Sequence, residues 1–384
     1  MLHGRRKTAG TLIVALCVAV TFLLTAGLAD AKGGKKPKPP PDPGDPGDSG
    51  VVYFKNAQTL YEMDQDGSNK TALPGVKLEW GWEYGPPSRE LHGNERWFLQ
   101  FKAVEGEEYP NGQARWYPYA ISESGTAVQL SDDPNLEPAT KPGGGSPVWQ
   151  GRPRWATEDG TKDGKVSFLA RKWVEDSDTG QWSVAEYGIF VASLDPSDLL
   201  TAEGSLDLQW ARVPVDFSAR YASQDTEETN PIVDVQYDWS PGGSAIAYVD
   251  LVGDDPGIWL AEEASTSWTK TRLTTSGEYP RWSNDGDRIA FESSSGIHTM
   301  DSDGTDETVI VTDPADSRNI RKYVQGARWS PNDTHLIYLY GEWDNKRFYA
   351  RRSDIYRINA DGSSKTLLTG DTDRLVGIVD WCSD

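Results

Sequence analysis

The sequence predicts an all-β fold, a six-bladed β-propeller of four-stranded antiparallel blades, and three observations predict it. A tryptophan-centred turn recurs at Trp155, Trp239, Trp282, Trp329 and Trp381, and in four of the five copies an alternating apolar strand follows. The repeating units return every 40–50 residues or so, the period of propeller blades. The two ends of the chain complete each other. Residues 376–381 (VGIVDW) read as a first strand with nothing after it, and residues 51–74 read as second, third and fourth strands with nothing before them. Joined, they make one blade, and the C-terminal strand closes the ring beside the N-terminal strands, removing exposed sheet edges.

Residues 1–31 read as a secretory signal peptide. Arg5, Arg6 and Lys7 form the positive region, Thr11 to Leu28 the apolar run, and Ala29-Asp30-Ala31 the small-residue cleavage site. The alternative is a membrane anchor, since the run is near the lower limit for spanning. Residues 32–50 (KGGKKPKPPPDPGDPGDSG) carry no apolar side chain but proline and read as an extended tether. The propeller is expected over 51–384.

Within it, Trp239, Trp282 and Trp329 each stand nine residues before an aromatic, Tyr248, Phe291 and Tyr338. The intervening Ser-Pro-Gly-Gly, Ser-Asn-Asp-Gly and Ser-Pro-Asn-Asp are turn chemistry. A second strand pair follows, with Asp-Gly between two β-rich runs in TLYEMDQDGSNKTALP, GIHTMDSDGTDETVIV and DIYRINADGSSKTLLT. Each unit is thus four strands, a to d. Blade 2 (78–131) is degenerate. Blade 3 (148–217) is long. Blades 4, 5 and 6 cover about 233–275, 277–312 and 325–369.

These residues resemble the TolB-type propeller repeat: Trp-Ser-Pro/Asn-x-Asp/Gly, then an Ile-Ala-Phe/Tyr-like strand, then Ile-Tyr-x-x-x-x-Asp-Gly and Leu-Thr. The resemblance covers blades 1, 4, 5 and 6 well and blades 2 and 3 loosely. It implies the propeller alone, because TolB itself carries a further domain ahead of its blades and here only the tether precedes the first strand.

Charge and cysteine content narrow the chemistry. The chain carries a net −21, which becomes −23 once residues 1–31 take three bases and one acid with them. Nucleic acid and anionic lipid are poor partners for such a surface. Cys17 leaves with the signal, so Cys382 has no intrachain partner.

No catalytic residue, metal ligand set or cofactor site is assigned. Asp64 and Asp301 open segments that invite a calcium reading. An EF-hand loop counted from Asp64 needs Gly sixth and Glu twelfth, and Asn69 and Gly75 stand there. The tight-turn reading is preferred. His92, His298 and His335 have no second ligand at metal spacing, and there is no nucleophile elbow.

The long connections, 104–114, 174–185 and 341–353 between strands b and c and 131–147, 217–232 and 312–325 between strands d and a, emerge on one face. Binding residues gather on such loops. The candidates are aromatics outside the repeating register and nearby cations: Trp343, Arg347, Arg351 and Arg352 in blade 6, Trp173 and Trp182 in blade 3, and Tyr109 in blade 2. Phe348 and Tyr349 lie beside them. Acids such as Glu107, Glu108, Asp176, Asp178 and Asp255 gather over blades 2 to 4, and Arg321, Lys322, Lys346 and Arg347 over blade 6, so the face is expected to be dipolar. The reading is an exported, monomeric, non-catalytic recognition protein, periplasmic or extracellular, binding a protein, peptide or glycan. The alternative is a polysaccharide hydrolase or lyase with carboxylates at the channel mouth.

Overall fold

The computed structural model describes residues 50–383 apart from 57–58, 78–86, 89–90, 109–113, 134, 139–152, 158–162, 181, 216–235, 251–254, 265–266, 318 and 370–375. The expected signal peptide, the tether up to residue 49, and Tyr109 lie outside the described residues.

The strands follow in chain order. Blade 1 holds β1 (Gly50–Asn56), β2 (Thr59–Asp64) and β3 (Thr71–Lys77), and blade 2 holds β4 (Trp97–Glu108), β5 (Ala114–Ser122) and β6 (Ala127–Gln129). Then come β7 (Leu136–Pro138), β8 (Arg154–Thr157), β9 (Asp163–Glu175), β10 (Trp182–Ser193), the short helix α1 (Pro196–Thr201) and β11 (Ala211–Arg212). Blade 4 is β12 (Tyr237–Trp239), β13 (Ala245–Asp250), β14 (Gly257–Ala264) and β15 (Ser267–Thr274). Blade 5 is β16 (Glu278–Trp282), β17 (Arg288–Ser293), β18 (Gly296–Asp301) and β19 (Thr308–Thr312). Blade 6 is β20 (Ile320–Trp329), β21 (His335–Asp344), β22 (Tyr349–Asn359) and β23 (Thr366–Leu367), and β24 (Val376–Ser383) ends the described chain.

These strands make six antiparallel sheets in a ring, a six-bladed β-propeller. The C-terminal strand closes it as expected: β24 pairs with β1 from Gly50↔Ser383 to Asn56↔Val376, and the first sheet reads β24-β1-β2-β3. Gly50, placed in the tether by composition, is already paired in this strand.

Ring closure is visible in the core. Among the described residues seven apolar clusters fill the six junctions between neighbouring blades: Phe98 meets Tyr53 between blades 1 and 2, while between 2 and 3 Leu99 meets Trp155 in one cluster and Phe101 meets Phe168 in a second. The other four centre on Trp239, on Phe291, on Trp329 and on Trp381. The register tryptophans pack against the preceding blade, and three of them bond to it. Trp155 Nε1 donates to the Trp97 carbonyl at 3.2 Å, Trp239 Nε1 to Ser167 Oγ at 2.8 Å, and Trp329 Nε1 to the Arg281 carbonyl at 3.1 Å. Each of these three indoles thus supplies apolar area and one fixed polar anchor.

The degenerate blade 2 has a physical explanation. Pro87 bridges Phe98 as Trp239 pairs with Ile246, which puts Pro87 where the other blades carry tryptophan and Ser88 where Ser240, Ser283 and Ser330 follow theirs. Ser88 N donates to the Trp97 carbonyl and its Oγ accepts from Trp97 N. With no indole there, the buried Arg96 takes over the junction, donating to the carbonyls of Ser88 and Ser383.

Blade 3 differs in another way. Its sheet has five strands, because β7, from the connection out of blade 2, pairs with β9 at Leu136↔Lys172 beyond the stretch that β8 covers. The Asp-Gly turns between strands c and d are tight turns as predicted, and their carboxylates are spent on the turn. Asp303 Oδ1 accepts from Thr305 N and Oγ1, Asp361 Oδ1 from Ser363 N and Oγ, and Asp66 Oδ1 from Ser68 N.

Candidate functional site

Strand b begins at the a–b turn and runs to the opposite face, so its far end shows what that face carries. In three blades this end is a twisted ribbon rather than a loop. β4 and β5 pair out to Glu108↔Ala114, β9 and β10 to Glu175↔Trp182, and β21 and β22 to Asp344↔Tyr349. The segments 104–114, 174–185 and 341–353, read from sequence as loops, are therefore strand at both ends. In a ring of six, blades 3 and 6 stand opposite each other.

The tips of those two ribbons are built alike. Asp176 Oδ1 accepts from Asp178 N and Thr179 N at 2.9 Å, and Gly180 N donates to the Asp176 carbonyl at 2.8 Å. At the other tip Asp344 Oδ1 accepts from Lys346 N and Arg347 N at 3.0 Å, and Phe348 N donates to the Asp344 carbonyl at 2.8 Å. Bonding to these amides holds the Asp176 carboxyl below its ordinary value. The last turn residue is left-handed in both: Gly180 has φ 67° and Phe348 φ 57°. Glycine takes that conformation at no cost, whereas a bulky residue there is strained. Phe348 is also 78% exposed.

The predicted residues separate accordingly. Arg347 and Arg351 are exposed around this tip. Arg352 is not free for a partner, because it forms an ion pair with the buried Asp354. Trp343 is half-buried and sits across the sheet from Arg321 and Ala350. Trp173 and Trp182 lie on the blade 3 ribbon, opposite Val184 and Glu175. The blade 6 ribbon also carries a row of alternating charge, Lys322↔Glu342↔Arg352, across three strands. On the acidic side, Glu107 Oε2 accepts from Tyr117 Oη at 2.7 Å, and burial with that bond pushes the phenol up to about 12. Asp255 is held by Arg272 at 2.9 Å.

Sequence reasoning missed two arrangements. At the b–c turn of blade 5, His298 Nε2 lies 2.6 Å from Ser295 Oγ and 2.8 Å from Ser293 Oγ, while Nδ1 lies 2.8 Å from Glu307 Oε1. Two hydroxyls share one ring nitrogen, and Ser295 N donates to Ser293 Oγ, so the group ties off the turn. The second arrangement is in the central channel. The residue before each register tryptophan points inward, giving Arg154, Asp238, Arg281, Arg328 and Asp380 around a cavity of about 210 Å3. Asn284, Pro331 and Ser383 also line it, so it lies at the a–b turn end, across the molecule from the ribbons. Had the register been read one residue earlier, the dipeptides Arg-Trp, Asp-Trp, Arg-Trp, Arg-Trp and Asp-Trp would have revealed it. Among the described residues, no group of three or more His, Cys, Asp or Glu is placed to hold a metal, and no helix is long and apolar enough to cross a membrane.

No family model matches this chain. No curated protein matches it either. Solved structures do. TolB from Acinetobacter baumannii is 16% identical over 89% of this chain and 68% of its own, with a TM-score of 0.52. A putative TolB from Agrobacterium tumefaciens is 13% identical over 84% and 88%, at 0.44, and the periplasmic gluconolactonase of Pseudomonas aeruginosa is 11% identical over 88% and 98%, at 0.40. The chain therefore has the fold of the TolB-type six-bladed propellers, and at these identities the likeness is one of fold.

Proposed function

We propose that this chain is an exported, non-catalytic recognition protein that holds a protein or peptide partner on its ribbon face. The observation that carries this reading is Phe348: a strained, solvent-exposed aromatic at a ribbon tip, flanked by Lys346, Arg347 and Arg351. Strain of this kind persists where it serves a purpose, and an aromatic ringed by cations is a common interface anchor. Across the channel, the blade 3 tip offers Asp176 and Asp178. A partner spanning both would meet positive charge at one end and negative at the other, which fixes its orientation and speeds encounter. Export rests on the character of residues 1–31, and the Pro-rich segment then serves as a spacer.

The test uses residues 32–384 as bait for an envelope extract, beside a second bait carrying Lys346→Ala, Arg347→Ala and Phe348→Gly. Arg352 is left intact because its loss would strand Asp354. A partner retained by the first bait and lost from the second, with the loss mimicked by raised salt, is the expected result. Retention by both moves recognition off blade 6. A fluorophosphonate probe checks the non-catalytic half of the reading: labelling abolished by Ser295→Ala would overturn it.

A further inference from the structure

Around the turn-side end of the channel the charges do not cancel. Going round the ring, blades 2 to 6 and then blade 1 contribute Pro87, Arg154, Asp238, Arg281, Arg328 and Asp380. Two ion pairs form across neighbouring blades. Arg154 Nε lies 3.9 Å from Asp238 Oδ1, and Arg328 Nε lies 3.9 Å from Asp380 Oδ1. Arg281 is left over. Its side chain is 6% exposed, and among the described residues no carboxylate pairs with it. Its Nη1 donates to the carbonyls of Pro280 at 2.9 Å and Tyr237 at 3.5 Å. Among the described residues its Nε and Nη2 have no hydrogen-bond partner, and Arg281 lines the cavity. A guanidinium removed from bulk water without a counter-charge is costly, and the cost is relieved when an anion enters.

We propose that this cavity binds a small monocarboxylate carrying a hydroxyl or ammonium group, with Arg281 as the anchor. The two free donors, Nε and Nη2, form one edge of a planar fork, the edge that accepts a carboxylate through two parallel hydrogen bonds. Among the described residues the ring holds three guanidinium groups against two carboxylates, an excess of one positive charge that matches a monoanion. A dianion would be repelled by Asp238 and Asp380. Those carboxylates supply the second half of the recognition. Asp238 Oδ2 is engaged by Trp282 N at 2.9 Å and Asp380 Oδ1 by Trp381 N at 2.9 Å, which leaves Asp380 Oδ2 as an acceptor for a donor group on the ligand. Burial and the nearby Asp238 raise the Asp380 carboxyl above its ordinary value, against the pull of Arg328 and Arg281. A volume of about 210 Å3 holds about seven waters at roughly 30 Å3 each, so the ligand is compact. Tryptophans 155, 239, 282, 329 and 381 wall the site. It lies at the opposite end of the channel from the ribbons and stands independently of the partner proposed there.

The experiment titrates residues 32–384 with lactate, glycine, acetate, methyl lactate and inorganic phosphate, reading binding heat and tryptophan fluorescence. Saturable binding of lactate or glycine is expected, with weaker binding of acetate and none of methyl lactate. Arg281→Gln should weaken the bound acid at least tenfold. Should that variant fold poorly, Arg281→Lys keeps the charge but loses the two-donor edge and should weaken it several-fold in a folded protein. Asp380→Asn should narrow the gap between lactate and acetate. The proposal is overturned if none of the three acids binds up to about 10 mM, if phosphate or methyl lactate binds as well as lactate, or if both Arg281 variants bind lactate like the unaltered protein.

Discussion

Phe348 and Gly180 occupy the same position in two copies of one turn, and only the glycine suits it. Replacing Phe348 by Gly should therefore stabilise the protein by about 0.5–1 kcal/mol while weakening the partner on the ribbon face. A rise in melting temperature together with loss of retention is the expected pair of results; a fall in both would make Phe348 a structural residue. The turn carboxylates give a second residue-scale prediction. Hydrogen bonds from Ser68, Thr305 and Ser363 hold Asp66, Asp303 and Asp361 below the ordinary aspartate value. The folded state thus favours their ionised forms. Their contribution is present above the unfolded value of about 3.9 and is lost as pH falls through the lower folded value. A triple Asp→Asn variant should melt below the unaltered chain at pH 6, and the gap should close toward pH 2, which a series of thermal melts would show. At this scale the sequence was informative about packing and silent about the channel. The tryptophans stood out by their frequency and register, whereas the arginine or aspartate before each looks like any surface charge until the strand is known to be innermost in a ring.

Strands b and c were legible wherever alternation ran between turn residues, and the predicted limits of blades 4 and 5 nearly coincide with β12–β15 and β16–β19. Three features were not. The ribbons of blades 2, 3 and 6 are interrupted by polar and turn residues such as Glu107, Asp176 and Asn345, so the period-2 signal fades although pairing continues on either side. The short β7 owes its place to β9, not to any pattern of its own. Pro87 stands in place of an indole, which hides the first strand of blade 2. The c–d turns, by contrast, were readable, and the structure adds why their glycines are fixed. Gly304 has φ 86°, and a Cβ there would lie 2.7 Å from the Leu273 carbonyl oxygen of the preceding blade. Backbone cannot yield as a side chain can. Gly304→Ala should cost about 1–3 kcal/mol, lowering the urea midpoint. An unchanged midpoint would mean that the blades slide apart freely at this edge.

The ring closes through one strand that is remote in sequence from its neighbours, and this makes a prediction about the molecule as a unit. β24 lends the first sheet its innermost strand, lends the channel Asp380, and lends the junction with blade 6 its Trp381. The carbonyl of Ser383 also accepts from Arg96 in blade 2. Removing residues 376–384 would leave β1 as an open edge and strip the apolar cover from two junctions, so the loss should reach every blade. The fold requires the strand to be present but not to be last in the chain. Gly50 and Ser383 are paired, so a permutant that starts at residue 376, joins residue 384 to residue 49 by a short linker and ends at residue 369 keeps every strand in its place. Lengthening or relocating a surface connection costs little, since closure entropy grows only with the logarithm of loop length. The permutant should fold with a melting temperature within a few degrees of the parent, and the truncated chain should expose hydrophobic surface and aggregate. Hydrogen exchange tells whether closure acts globally. If truncation speeds exchange in blades 1, 2 and 6 while blade 4 stays as protected as before, the blades are independent units that merely sit side by side. Uniform loss of protection, restored by permutation, would show that the six junctions fold as one cooperative ring.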